Sequence, residues 1–171
     1  PEEGLKDRVL RVDDTLAALG RLAAYYRNEN IPVGTTIIAV TGSNGKTTTK
    51  CMIDHVLRGY FKGRPSPKSF NNAIGVPLTL LAVEPDDRYA VVEVGTNAPG
   101  EIAGLASIVS PNVAVITSIG EAHLEGLGNL DSVAKEKASI LKFVRPSGFG
   151  VVNVDRPEIL PQLAQAAQGH S

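Results

Sequence analysis

The sequence predicts an α/β fold, a mostly parallel sheet with helices on both faces. Short apolar, β-branched runs at 36–40, 89–94, 113–117 and 150–154 alternate with segments of helical spacing at 47–57, 101–109, 130–143 and 157–167. Continuous apolar strands separated by helices mark a parallel sheet covered on both sides. Hydrophobic residues make up 43% of the 171 positions and charged residues 20%, enough for a core and against intrinsic disorder. The first strand also runs straight into a Gly-rich turn and a helix, TIIAVTGSNGKTTT at 36–49.

Charge and composition remove several function classes. Lys and Arg total 17 against 18 Asp and Glu, a formal net charge of −1, which argues against a general nucleic-acid or anionic-membrane binder. One Cys makes no internal disulfide framework and suits a reducing compartment. No apolar run approaches the ~20 residues of a membrane helix. The start, PEEGLKDRVL, is charged where a secretory leader needs an apolar stretch. The expectation is a cytoplasmic protein.

In chain order, a helix capped by Asp13 or Asp14 comes first, with Leu16, Leu19, Leu22 and Ala23 at helical spacing. The polar stretch 27–30 before Pro32 and Gly34 reads as a linker, and residues 1–31 as a lead-in to a domain that begins at 32. Residues 61–69, rich in Pro, Gly and basic side chains, read as a loop. Its Lys62, Arg64 and Lys68 are solvated or meet an anionic substrate. In a parallel sheet all strand C-termini fall on one rim, where ligands bind.

The 36–49 run has the parts of a phosphate cradle. Gly42 and Gly45 permit backbone angles and close approach that a Cβ would block. The N–H groups of Ser43, Asn44 and the helix start, Lys46 to Thr48, present partial positive charge to phosphate oxygens. Lys46 adds a full charge, and Thr47 can place its hydroxyl on Mg²⁺. Val40 stands where the longer P-loop pattern has Gly, so the match is to G-x-x-G-K-T. The fold class narrows to a P-loop NTPase-like sheet. No Asn-Lys-x-Asp element follows, which leaves ATP as the expected nucleotide.

Three further residues draw notice. Glu93 ends the apolar run YAVVE, and an acid there is costly to bury unless a cation offsets it, either Mg²⁺ or a salt bridge. His123 lies in the loop after the 113–117 strand, which leaves from the binding rim. Lys137 sits within the apolar stripe Leu130, Val133, Ala134, Ile140, Leu141. Its head either snorkels to water or is buried, and burial favours the neutral amine, which can add carbon dioxide to give an anionic, metal-ligating carbamate. His55 and His170 read as structural or exposed.

TGSNGKTTTK at 41–50, SFNNAIGVPLTLL at 69–81, EVGTNAPGEIAGL at 93–105 and HLEGLGNLDSVAKEKASIL at 123–141 together resemble the central, ATP-binding domain of the Mur ligases. Ser69 and Ala98 stand where many members have Asn and His. The resemblance implies an ATP-dependent amide ligase of peptidoglycan precursor synthesis. Its Asn-Asn-x-x-Gly-Val-Pro form implies UDP-N-acetylmuramoyl-tripeptide and D-Ala-D-Ala as substrates. It implies that Lys46 and the 42–48 backbone hold the phosphates, that Thr47 and Glu93 hold one Mg²⁺, and that His123 with carbamylated Lys137 holds a second. It places Asn71 and Asn72 at the nucleotide-peptide substrate and Asn153, with Asp155, near the adenosine. Whole members carry a domain before and a domain after this region, so 32–171 is expected to be a partial central domain without the closing domain. Three readings stand beside this one: another Mur-type ligase, folylpolyglutamate- or cyanophycin-synthetase-like; a nucleotide-binding module without ligase activity; and a P-loop ATPase or kinase of another class.

Overall fold

Five strands, all parallel, line up in the order β2-β3-β1-β4-β5 in a computed structural model that describes residues 9–120 and 129–167. The strands are β1 (Thr36–Thr41), β2 (Gly63–Pro65), β3 (Tyr89–Glu93), β4 (Val113–Ile116) and β5 (Phe149–Val152). The helices are α1 (Thr15–Glu29), α2 (Lys46–Leu57), α3 (Gly75–Leu81), α4 (Glu101–Val109), α5 (Leu130–Ala138) and α6 (Leu160–Ala167). Val40 pairs with Glu93 and Thr41 with Ile116, so the ends of β1, β3 and β4 share one rim. After β1 the chain turns to β2 and β3, then crosses to β4 and β5. This reversal of direction opens a crevice at the rim beside β1.

The period-two pattern divides the core. Ile37, Ala39, Ala90, Val92, Ala114 and Ile116 face the larger layer, packed with α3, α4 and α5. Ile38, Val40, Tyr89 and Val91 lie against Ile53 and Leu57 of α2. On this second face α2 meets β1, β2 and β3, while Phe149 and Val151 of β5 are exposed.

Several local expectations are refined. Asp14, not Asp13, caps α1, accepting from the Leu16 and Ala17 N–H groups at 2.8 and 3.0 Å. The buried face of α1 is Gly20, Ala23 and Arg27, whereas Leu16 and Leu22 are about half exposed. Small residues win because α1 closes on α4: a Cβ on Gly20 would lie 3.0 Å from Ile108. The polar stretch at 27–30 is the end of this helix and its cap. Arg27 is buried, its Nε donating to Val109 O at 3.1 Å and its guanidinium to Ser110 O and Asn112 Oδ1. It satisfies the last carbonyls of α4, where Ser110 is left-handed at φ 42°.

The 61–69 segment holds the edge strand β2. Gly63 is required there, since a Cβ would come within 2.4 Å of Tyr89. Pro65 is tolerated at a sheet edge. Lys62 is paired with Glu84 and Asp86, and Arg64 with Glu84 and Asp87. Helix α3 begins at the Asn-Asn motif because Asn72 Oδ1 accepts from the Ile74 and Gly75 N–H groups at 3.1 and 2.9 Å. The 130–143 helix is α only to Ala138 and tightens to a 3₁₀ turn over Ser139–Phe143.

Arg27→Met keeps the side-chain bulk but removes the donor to Val109 O, while Ser110 O keeps Arg145 Nε and Asn112 Oδ1 keeps the Ile37 N–H. It is expected to cost ~1–3 kcal/mol, read as a lower urea midpoint at unchanged m.

Candidate functional site

The turn between β1 and α2 is held open by backbone geometry. Gly42 has φ 146° and Gly45 φ 80°, and a Cβ on Gly42 would sit 2.1 Å from Thr117 Oγ1. The loop after β4 braces the turn from behind. Ser43 N donates to Ser118 O at 2.9 Å, Asn44 N to Ser118 Oγ at 3.0 Å, and Ser43 Oγ to Gly120 O at 3.1 Å. The N–H groups of Lys46, Thr47 and Thr48 open α2 with no intrahelical acceptor, a ready site for anionic oxygen. Lys46 folds back over the turn, Nζ donating to Gly42 O at 2.7 Å. Burial pulls its pKa below the ordinary lysine value, and Glu93 opposes that pull.

Glu93 closes the front of the site. It is 1% exposed at the end of β3. Thr47 Oγ1 donates to its Oε2 at 2.9 Å, Lys50 Nζ lies 3.1 Å from the same oxygen, and Asn71 Nδ2 donates to Oε1 at 3.0 Å. The offsetting cation is thus built in: it is Lys50, which the sequence reading missed. The available signal was spacing, for Lys50 lies three and four residues beyond Thr47 and Lys46, on one helix face. The Thr47 hydroxyl and Glu93 carboxylate are hard oxygen donors beside a phosphate cradle, a set that fits Mg²⁺.

Lys137 is fully buried, and among the described residues its Nζ has no hydrogen-bond partner. Burial and the charge of Lys46 lower its pKa to about 8, with Glu136 acting the other way. Snorkelling is therefore not its solution. Glu136 caps α4, accepting from the Gly100 and Ile102 N–H groups at 2.8 Å each. His123 and His170 lie outside the described residues, and His55 is exposed on α2.

The remaining candidates divide. Asn71 faces Glu93, and Gly95 makes room for it, since a Cβ there would meet Asn71 Cγ at 2.8 Å. Asn72 spends its carbonyl oxygen on capping α3. Both border a cleft of 720 Å³ between α1 and α4 that reaches Lys46 and is also lined by Leu16, Arg21 and Ile108. Asn153 is held by Asp155 just beyond β5, on the same rim but two strands from β1, ~10 Å along the sheet. Glu84, Asp86 and Asp87 form the one carboxylate cluster of metal-binding size among the described residues, and Lys62 and Arg64 already neutralise it.

A strand, Gly-turn and helix cradle on a parallel sheet, with a Thr–Glu pair at its mouth, defines a P-loop nucleotide-binding domain. The comparisons narrow this. Residues 40–170 match the Mur ligase middle domain, and the chain belongs to that family. It is 44% identical over 149 residues to the UDP-N-acetylmuramoyl-tripeptide--D-alanyl-D-alanine ligase of Bacillus subtilis, covering 87% of this chain and 32% of that protein. A crystal structure of MurF from Acinetobacter baumannii superposes with a TM-score of 0.88 at 38% identity, covering 95% of this chain and 35% of that one. MurF from Thermotoga maritima in complex with ADP gives 0.83 at 30% identity, over 94% and 37%. The chain spans about a third of the length of the curated relatives it matches. No described helix is long and apolar enough to cross a membrane.

Gly42→Ala adds a Cβ against Thr117 and a disfavoured φ. It is expected to cost ~2–4 kcal/mol and to abolish binding of Mg²⁺·ADP. Thermal unfolding and titration calorimetry check both, and an unchanged affinity would remove the turn from the nucleotide site.

Proposed function

We propose that this chain is the nucleotide-binding middle domain of a ligase that joins D-Ala-D-Ala to UDP-N-acetylmuramoyl-tripeptide at the expense of ATP. The observation that carries the reading is the cleft between α1 and α4, which ends at Lys46. An acyl substrate lying in it brings its carboxylate to the γ-phosphate end of a nucleotide seated on the turn. The names of the relatives supply the substrate class, and the Asn-Asn-x-x-Gly-Val-Pro motif at the cleft border supports it.

In the first step a carboxylate oxygen bonds to the γ-phosphorus and the bond to the β–γ bridging oxygen breaks, releasing ADP and leaving an acyl phosphate. The amine nitrogen of D-Ala-D-Ala then bonds to the acyl carbon. The carbon–oxygen bond to phosphate breaks, phosphate leaves, and the amine gives up its proton. Two anions meet in the first step. The N–H groups of the turn and the Lys46 ammonium screen that repulsion. Thr47 and Glu93 would hold one Mg²⁺, and His123 with Lys137 as its carbamate a second; when bound, these ions supply further charge neutralisation on the phosphates. Asn71 and Asn72, on the cleft border, would meet the acyl substrate, and Asn153 would serve the nucleoside end. The one Cys, exposed at position 51, suits a reducing cytoplasm.

Lys46→Ala is expected to lower D-Ala-D-Ala-dependent phosphate release by at least ~10³. Wild-type turnover in that variant would refute the assignment. The Lys137 amine is the second test. With a pKa near 8 it is ~10% neutral at pH 7, against less than ~0.1% for an ordinary lysine. A ¹³C carbamate signal from labelled bicarbonate is expected to grow from pH 6.5 to about 8 and then level off. It should vanish in Lys137→Gln.

A further inference from the structure

We propose that Lys50 is the resident counter-cation of the nucleotide site. In this role it holds Glu93 in its metal-ready position when no Mg²⁺ is bound, and it ties that carboxylate to the loop bordering the acyl cleft. The inference rests on the ligase reading for the identity of the metal and on contacts within the chain for the rest.

Lys50 is 2% exposed, and among the described residues its ammonium has two partners, Glu93 Oε2 at 3.1 Å and the carbonyl of Lys68. The first ends β3, and the second lies in the loop after β2, where Lys68 is left-handed at φ 45°. That loop reaches Glu93 at two other points. Asn71 donates to Oε1 at 3.0 Å, and Ser66 Oγ accepts the Glu93 N–H at 3.1 Å. Lys50 is therefore the third link between the acid and the loop, and the only one of the three that carries charge. Lys46 does not duplicate it, because its ammonium is bonded to Gly42 O and Ser43 O.

The Lys50 ammonium engages Oε2, the Glu93 oxygen that the Thr47 hydroxyl also meets and that a metal held by Thr47 and Glu93 would need. A divalent ion there competes with Lys50 for one oxygen and sits beside a like charge. Lys50 thus performs two opposed tasks. It removes the cost of a buried, unpaired carboxylate in the metal-free protein, and it weakens Mg²⁺ binding so that the ion can come and go with the nucleotide. It is a positioning residue, acting through Glu93 rather than on substrate.

The test is thermal unfolding of the intact protein in EDTA and in saturating Mg²⁺·ADP, together with a Mg²⁺ titration at fixed ADP. Lys50→Met is expected to lower the metal-free Tm by ~10 °C, because it leaves a buried acid unpaired. Most of that loss should return with Mg²⁺·ADP, and half-saturation should fall to ~10-fold lower Mg²⁺. The Lys50→Met, Glu93→Gln double variant removes both charges and should recover most of the metal-free Tm, a coupling a merely space-filling lysine would not show. Equal destabilisation with and without metal, an unmoved Mg²⁺ titration, or no recovery in the double variant overturns the proposal. The EDTA cycle needs no nucleotide, so it reads the Lys50–Glu93 coupling alone. A wild-type protein that failed to bind Mg²⁺·ADP would instead overturn the ligase reading.

Discussion

A carboxylate withdrawn from water at the end of an apolar strand organises the whole binding rim. Glu93 is stable there because α2 supplies a hydroxyl and an ammonium while the loop after β2 supplies an amide to the acid and a backbone carbonyl that anchors the ammonium. Each donor fixes the element that carries it. Thr47 and Lys50 set the rotation of α2 over the sheet, and Asn71 and Lys68 set the path of the loop that borders the cleft. Without that acid, the phosphate cradle and the cleft would have no common reference point.

Lys50 and Lys46 lie near this acid and Lys137 lies near Lys46, and their environments give the three lysines three chemistries. Lys50 is buried and paired, a fixed charge. Lys46 rests on turn carbonyls, which suits the proposed role of a cation that exchanges those partners for phosphate. Lys137 is buried with Lys46 as a repelling neighbour, which pushes it toward a reactive amine. Residue type alone does not separate these roles; burial and the sign of the nearest charge do.

The cleft wall is braced in a similar way. Helix α4 has its N-terminus capped by Glu136 from α5 and its C-terminus capped by Arg27 from α1. Two buried, opposite charges thus complement the two ends of one helix dipole. They hold α4 between the helix that carries Lys137 and the helix that forms the other side of the cleft.

Four of the five strands, most helices and the Gly-rich turn were legible in the sequence because each depends on local order. Period-two apolar runs make strands, helical spacing makes faces, and glycines at fixed offsets permit a turn that other residues cannot adopt. Lys137 was legible for the same reason, as a charge inside an apolar stripe. Other features were not. The strand β2 is only three residues long and takes its order from pairing with β3. Lys50 as a counter-ion and Arg27 as a buried clasp within a polar stretch both depend on partners brought in by the crossovers. Arg27 and Val109 are 82 residues apart, and Thr47 and Glu93 are 46 apart. The sequence by itself determined which surfaces are apolar and where the backbone must bend. Tertiary structure alone decided which charge meets which, because a buried charge is defined by neighbours that chain order does not place beside it.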